Sequence, residues 1–193
     1  NIYDECLKAG NPDLPIIFTS TSKITFPGAG VAVEAASPNN VSLLKGRMKY
    51  QTIGPDKLNQ LRHARMFKTP ADIERHMKRH ADILRPKFET VLSELEKQLG
   101  GNGIARWTNP RGGYFISLYV LDGCAKRVEQ LCANAGMILT PAGATYPYGN
   151  DPDDSNIRIA PSYPSVEEIK KASAVLCIAV KYAALEKLIA EKR

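Results

Sequence analysis

A short apolar segment followed by a polar turn is the feature that most constrains this chain. Residues 15–18 are Pro-Ile-Ile-Phe, residues 20–23 are Ser-Thr-Ser-Lys, and two glycines follow closely, at Gly28 and Gly30. Apolar residues bounded by a proline and hydroxyl side chains are typical of a short buried strand, and the glycines indicate a tight turn. The pattern predicts an α/β sheet with Lys23 at the carboxyl end of a strand, where open α/β sheets bind ligands.

The turn at residues 20–23 has a composition suited to pyridoxal 5′-phosphate (PLP). A lysine amine condenses with the aldehyde of PLP, and neighbouring serine hydroxyls donate hydrogen bonds to its phosphate. On this interpretation Lys23 forms the Schiff base and is catalytic, while Ser20 and Ser22 bind the cofactor with it. Four residues alone also fit a polar turn with an exposed lysine.

Three segments together resemble the C-terminal half of a fold-type I, class I PLP-dependent aminotransferase. Residues 20–28, Ser-Thr-Ser-Lys-Ile-Thr-Phe-Pro-Gly, are similar to the lysine motif of that family. Residues 110–115, Pro-Arg-Gly-Gly-Tyr-Phe, resemble its PxGGxF segment, and residues 156–159, Asn-Ile-Arg-Ile, resemble its carboxylate-binding strand. Residues 51–63 further resemble the bacterial aspartate aminotransferase-like branch. The resemblance covers nearly the whole chain.

The resemblance implies an α/β fold in two parts. Residues 1–69 are expected to form the end of the PLP-binding large domain, followed at residues 70–193 by an α+β small domain. Residues 30–36 are small or β-branched and predict a second core strand in the first part. Ser37 follows that strand and predicts the start of a helix.

The second part has clear helix signals at both ends. Thr69, Pro70 and Asp72 form a helix start, and an apolar stripe at helical spacing runs from there to Leu99. The capping box of residues 165–168 opens the last helix. Between these helices the pattern predicts a strand, a helix and two further strands, at residues 113–120, 125–135, 137–140 and 157–160.

The resemblance also implies a function. An enzyme of this family transfers an amino group from an amino acid to a 2-oxo acid, with aspartate and 2-oxoglutarate as the favoured pair, and works as a homodimer. Arg158 is expected to bind the substrate α-carboxylate, because a planar guanidinium suits a bidentate carboxylate. From the residues alone, Arg158 fits a structural ion pair or an exposed edge position equally well.

One departure from the family concerns the cofactor phosphate. Many class I members carry a phosphate-clamping arginine seven or eight positions after the lysine, and here those positions are Gly30 and Val31. We therefore expect hydroxyls, backbone N–H groups and other parts of the protein to hold the phosphate. We also expect the chain to be a C-terminal piece of a longer protein, incomplete as an enzyme. In the family, the residues that contact the pyridine ring precede the lysine strand.

Charge and composition argue against several other classes. The 193 residues carry a net charge of +6, but no run of five basic residues occurs, so a nucleic-acid partner is not expected. No stretch approaches the length of a membrane span. The four cysteines form no CxxC pair, which indicates reduced thiols in the cytoplasm and no zinc site. His76 and His80 lie four residues apart among basic residues and are expected to be solvated, with no metal.

Two alternatives in function remain open at this stage. The same PLP-binding domain occurs behind a DNA-binding winged helix in transcription regulators, where it acts as an effector domain. A lysine in this position also fits other PLP enzymes such as lyases, because their chemistry begins on the same lysine-bound cofactor.

Overall fold

The computed structural model describes residues 1–192, which form two compact units. The first unit is Asn1–His80, and the second begins at Ala81. This division falls within the helix Pro70–Leu99, which we call α4. The domain boundary expected between residues 69 and 70 stays a prediction.

The first unit contains a strand pair and three helices ahead of α4. Strand β1 pairs antiparallel with β2, with Ile16 opposite Ala36 and Ser20 opposite Ala32. The side chain of Ser37 accepts a hydrogen bond from the Asn40 N–H and caps α2, which confirms the predicted helix start. The bounds are α1 Ile2–Lys8, β1 Ile16–Ser20, β2 Ala32–Ala36, α2 Pro38–Met48 and α3 Lys57–Met66.

The strands of the first unit are more exposed than the sequence predicts. Phe18 on β1 is 71% exposed and Val33 on β2 is 56% exposed. The expectation of buried core strands is therefore wrong for the described residues. In the described residues, β1 and β2 form a two-stranded sheet of their own, and apolar side chains of both strands are exposed to solvent.

The second unit is an antiparallel sheet packed against helices. The strand order is β3-β4-β5, with Leu118 opposite both Trp107 and Ile157. The predicted capping box is present, since the Ser165 hydroxyl accepts from the Glu168 N–H and the Glu168 carboxylate accepts from the Ser165 N–H. The bounds are β3 Ala105–Trp107, β4 Ile116–Val120, α5 Ala125–Asn134, a 3-10 turn Pro147–Gly149, β5 Asn156–Ile159 and α6 Val166–Glu191.

One face of this sheet forms the core. Ile116 and Leu118 of β4 and Ile157 of β5 are at most 1% exposed, because alternate side chains of each strand point inward. The buried side chains of α4 and α6 pack on them in a single cluster that includes Val91, Leu95, Leu99, Leu176 and Val180. The opposite face of the sheet is left for the polar residues of β4 and β5.

The predicted strand at residues 137–140 is wrong. The Met137 N–H donates to the Cys132 carbonyl at 2.9 Å, and Gly136 adopts a φ of 80°. These are features of a helix C-terminus. The Met137 N–H satisfies a free carbonyl at the end of α5, and Met137 has no strand partner. The predicted strand at 113–120 is confirmed from Ile116 onward. Within residues 1–192, no helix is long and apolar enough to cross a membrane.

Candidate active site

Lys23 lies in a single helical turn directly after β1, as the sequence predicts. The Thr21 carbonyl accepts hydrogen bonds from the N–H groups of Ile24 at 2.9 Å and Thr25 at 2.8 Å. The Thr21 N–H donates to the Val31 carbonyl at 2.9 Å, which continues the pairing of β1 with the segment before β2. The Lys23 side chain is exposed. We call residues 21–25 the lysine turn.

Both predicted cofactor-binding serines lie beside Lys23. Ser20 ends β1, Ser22 is the residue before Lys23, and both side chains are exposed. The Ser22 N–H donates to the Ser20 Oγ at 3.4 Å, a long contact. The structure thus brings one amine and two hydroxyls together at the end of a strand, which fits a phosphorylated aldehyde such as PLP.

Gly30, one of the two positions where many family members carry a phosphate-clamping arginine, has no room for a side chain. A Cβ at Gly30 would lie 2.5 Å from the Ser22 Oγ and 2.9 Å from the Ser22 Cα and N. Only a residue without a side chain allows the backbone to approach Ser22 this closely. An arginine at position 30 is incompatible with this turn.

Helix α3 supports the lysine turn through a histidine that the sequence analysis did not identify. The His63 Nε2 lies 2.7 Å from the Thr25 Oγ1 and 3.1 Å from the Thr21 Oγ1. The Thr21 Oγ1 also accepts a hydrogen bond from the Val31 N–H at 2.8 Å. Thr25 is only 5% exposed, and its hydroxyl has both the His63 ring and the Thr21 carbonyl, at 3.2 Å, as partners.

Asn59, one helical turn before His63, holds the other end of the loop. Its Nδ2 donates to the Gly30 carbonyl at 3.0 Å, and the residue is 8% exposed. The Asn59 Oδ1 is buried and has no hydrogen-bond partner among the described residues. Because Asn59 and His63 are four residues apart on α3, they share one face of that helix.

A series of ring contacts extends from the lysine turn to the start of α4. The Phe26 and His63 rings meet edge to face at a centroid distance of 5.2 Å, and Phe67 lies between His63 and His76 at 6.3 and 5.3 Å. His76 contacts His80 at 4.3 Å, and its Nε2 is buried without a hydrogen-bond partner. The solvated position expected for His76 is therefore wrong.

Burial is the main cause of a lowered pKa at His76, followed by the charges of His80 and Arg79. A neutral ring is thus favoured at this position. In residues 1–192, no group of three or more histidine, cysteine, aspartate or glutamate side chains is arranged to hold a metal ion.

Arg158 lies in the second unit, on the polar face of the sheet. It is opposite Ser117, whereas its neighbours Ile157 and Ile159 point into the core. Its guanidinium carbon lies 4.5 Å from the centre of the Phe115 ring, close enough for a cation–π contact. Phe115 belongs to the PxGGxF segment that the sequence analysis identified, but the sequence did not show that Phe115 contacts Arg158.

The guanidinium of Arg158 has one buried donor that is not used. Its Nε is buried and has no hydrogen-bond partner, and none of the ion pairs found among residues 1–192 includes Arg158. The structural ion pair left open by the sequence is therefore excluded within this part of the chain. A buried guanidinium N–H without an acceptor is costly, and a bound carboxylate would satisfy it.

Comparisons with known proteins identify the family of this chain. The model of the family described as aspartate amino-transferase matches residues 1–192. An aspartate aminotransferase of Corynebacterium glutamicum is 47% identical over 178 residues, which cover 92% of this chain and 41% of the relative. A Mycolicibacterium smegmatis protein, named provisionally as an aminotransferase, is 47% identical over 184 residues, covering 95% of this chain and 43% of the relative. The chain spans less than half the length of these curated relatives.

A more distant match is an uncharacterized HTH-type transcriptional regulator of Bacillus subtilis. It is 27% identical over 163 residues, which cover 84% of this chain and 32% of the regulator. This identity is well below that of the aminotransferase relatives.

Solved structures show the same fold. The crystal structure of an aspartate transaminase from Corynebacterium glutamicum matches with a TM-score of 0.92 and 45% identity, covering 97% of this chain and 44% of that one. The alpha-aminoadipate aminotransferase of Thermus thermophilus, complexed with N-(5′-phosphopyridoxyl)-L-leucine, matches with a TM-score of 0.76 and 22% identity. The match covers 95% of this chain and 46% of that one. At that identity the likeness shows the fold alone. The resemblance and the fold class predicted from the sequence are confirmed.

Proposed function

Because the chain belongs to the aspartate amino-transferase family, we propose that it is part of a PLP-dependent aminotransferase. The observation that carries this proposal is the position of Lys23, exposed in a helical turn at the end of β1 with two serine hydroxyls beside it. The amino donor we favour is aspartate and the acceptor is a 2-oxo acid such as 2-oxoglutarate. The named aspartate aminotransferase at 47% identity supports this choice.

Each residue of the lysine turn has a distinct task in this reaction. PLP, when bound, supplies an aldehyde and a ring that withdraws electrons from the substrate carbon. The Lys23 amine holds the cofactor, accepts a proton at Nζ and returns it, as a general base and then a general acid. The Ser20 and Ser22 hydroxyls donate hydrogen bonds to the phosphate and fix its position.

Arg158 binds the α-carboxylate of the substrate in this proposal. Its Nε has no hydrogen-bond partner among the described residues, and its guanidinium carbon lies 4.5 Å from the centre of the Phe115 ring. A planar fork in this position can bind a carboxylate through two parallel hydrogen bonds. Amino acid and 2-oxo acid substrates share that carboxylate, so one arginine serves both halves of the reaction.

The working form we propose is a cytoplasmic homodimer, on the basis of the family alone. The alternative function is that of an effector domain in a transcription regulator, which the 27% match to the Bacillus regulator favours. Both functions place PLP on Lys23, so only turnover and DNA binding distinguish them.

A reductive trapping experiment tests the proposal. The full-length protein is incubated with PLP, reduced with borohydride, digested and mapped by mass spectrometry, with Lys45→Ala as a control for an exposed lysine on α2. We expect the phosphopyridoxyl mass on the peptide that contains Lys23. We also expect Lys23→Ala to lose transamination of aspartate, and Lys45→Ala to retain it.

The outcomes separate the candidates. Trapping on a different lysine, or turnover in Lys23→Ala close to that of the unchanged protein, would refute the assignment of Lys23. Trapping on Lys23 without conversion of 2-oxoglutarate to glutamate would instead support the regulator or a lyase.

A further inference from the structure

We propose that His63 is a positioning residue for Lys23, with the hydrogen on its Nδ1 donated to its own helix and its Nε2 facing the lysine turn. This inference rests on the function proposed above for Lys23. It concerns the contacts of the lysine turn with α3, a helix to whose residues the sequence analysis assigned no individual role.

The hydrogen bond of His63 within its own helix fixes the tautomer. The Nδ1 lies 2.9 Å from the backbone carbonyl of Asn59. A carbonyl oxygen only accepts, so Nδ1 must carry the hydrogen. In a neutral ring the Nε2 is then an acceptor, and it points at the lysine turn.

The Nε2 of His63 joins the two ends of that turn. Thr25, two residues after Lys23, has its hydroxyl 2.7 Å from Nε2 and 3.2 Å from the Thr21 carbonyl. Thr21, two residues before Lys23, has its hydroxyl 3.1 Å from the same nitrogen. One ring nitrogen therefore lies within hydrogen-bond distance of both residues that flank the lysine.

The same contacts connect the turn to its surroundings. The Thr21 hydroxyl accepts the Val31 N–H at 2.8 Å, and Asn59 holds the Gly30 carbonyl at 3.0 Å. Helix α3 thus fixes both the lysine turn and the backbone that passes beside Ser22. A side chain that must deliver a proton to a defined atom needs this kind of support, because small displacements reduce the rate strongly.

The matched variants follow from side-chain geometry. Glutamine places an acceptor near the position of the imidazole Nε2, whereas asparagine reaches only as far as Nδ1. His63→Asn should release the turn and His63→Gln should largely retain it. His80→Asn is the control, since His80 contacts His76 and no described hydrogen bond joins it to the lysine turn.

The first readout is Lys23 itself in the full-length protein freed of cofactor. Trace acetic anhydride labels lysines in proportion to their nucleophilicity and access, and mass spectrometry gives the ratio of Lys23 to Lys45. We expect His63→Asn to change this ratio by a factor of about 2 to 10, the range corresponding to one neutral hydrogen bond. His63→Gln and His80→Asn should remain close to the unchanged protein.

The second readout is the tautomer. Long-range proton–nitrogen NMR of the unchanged protein, with histidine labelled, should show the hydrogen of His63 on Nδ1 at neutral pH. An Nε2–H tautomer would overturn the proposal, and this measurement does not depend on whether any variant folds.

A purely structural histidine gives a different pattern. Its loss would lower the melting temperature of His63→Asn while the Lys23 labelling ratio and the PLP dissociation constant stayed unchanged, and that result would refute the proposal. We expect the PLP dissociation constant of His63→Asn to rise by about 2- to 10-fold. If PLP were never trapped on Lys23, the proposed function would fail, whereas the labelling ratio and the tautomer would still decide the role of His63.

Discussion

Replacing Gly30 with alanine should destabilise the lysine turn and weaken cofactor binding. The added Cβ would lie 2.5 Å from the Ser22 Oγ and 2.9 Å from two backbone atoms of Ser22. The Oγ can rotate away, but the backbone atoms cannot, and their approach falls about 0.5 Å short of ordinary contact at 3.4 Å. The turn must therefore shift next to Lys23.

The magnitude follows from the cost of overpacking. Forced backbone shifts of this kind typically cost about 1–3 kcal/mol. Urea unfolding of the full-length protein, followed by circular dichroism, should show that loss, and the PLP dissociation constant should rise in the same variant. Gly46→Ala is the control, because Gly46 lies inside α2 with no atom within 4 Å of an added Cβ. There alanine should stabilise the helix by about 0.5–1 kcal/mol.

A second variant tests whether the backbone is the obstacle. Adding Ser22→Ala to Gly30→Ala removes the Oγ contact and leaves both backbone contacts, so we expect only partial recovery of stability. Unchanged stability and PLP affinity in Gly30→Ala would refute the reasoning. Full recovery in the double variant would show that the serine hydroxyl alone requires the glycine.

Three further predictions concern other parts of the chain. Arg158→Lys should raise the KM for amino and 2-oxo acids alike while leaving the PLP spectrum unchanged, because lysine keeps the charge and loses the bidentate geometry; unchanged KM values would show that Arg158 is structural. Burial raises the pKa of Cys132 and of Cys177 to about 11, so both thiols should resist a thiol reagent in the native protein while the half-buried Cys6 reacts, and rapid native labelling of either would contradict this. The pKa of His76 is lowered in the folded protein, so its contribution to stability is complete above the ordinary value of 6.5 and is lost as the pH falls below it; His76→Gln should flatten that part of the stability profile, and an unchanged profile in urea unfolding would count against it.

The features predicted correctly from the sequence depend on neighbours close in the chain. Ser165 and Glu168 form their capping box across one turn of helix, with distances of 2.8 and 3.3 Å. The turn at Lys23 follows its strand because hydroxyl and glycine residues end β1 locally. Patterns that depend on residues a few positions apart predict local structure without knowledge of the tertiary fold.

One of the features that were missed depends on residues far apart in the chain. His63 is 38 residues from Thr25 and 42 from Thr21, and no periodicity in either segment indicates that they meet. Met137 was missed for a local reason. Its segment has the composition of a strand, but its N–H donates to the carbonyl of Cys132, five residues earlier, at the end of α5. Tertiary contacts decided the position of His63, and the end of a neighbouring helix decided that of Met137.

The packing of α6 on α4 means that the core of the second unit forms only after α6 has been synthesised. Lys181 of α6 reaches the Gln98 side chain at 2.9 Å, and the Cys177 thiol contacts the Glu94 carbonyl, each across 83 residues of chain. A ribosome adds roughly 5–20 residues per second, so α4 emerges several seconds before the helix that covers it. During that interval Leu95 and Leu99, later fully buried, have no partner on α6. The core of the second unit therefore cannot close around α4 until translation has passed α6.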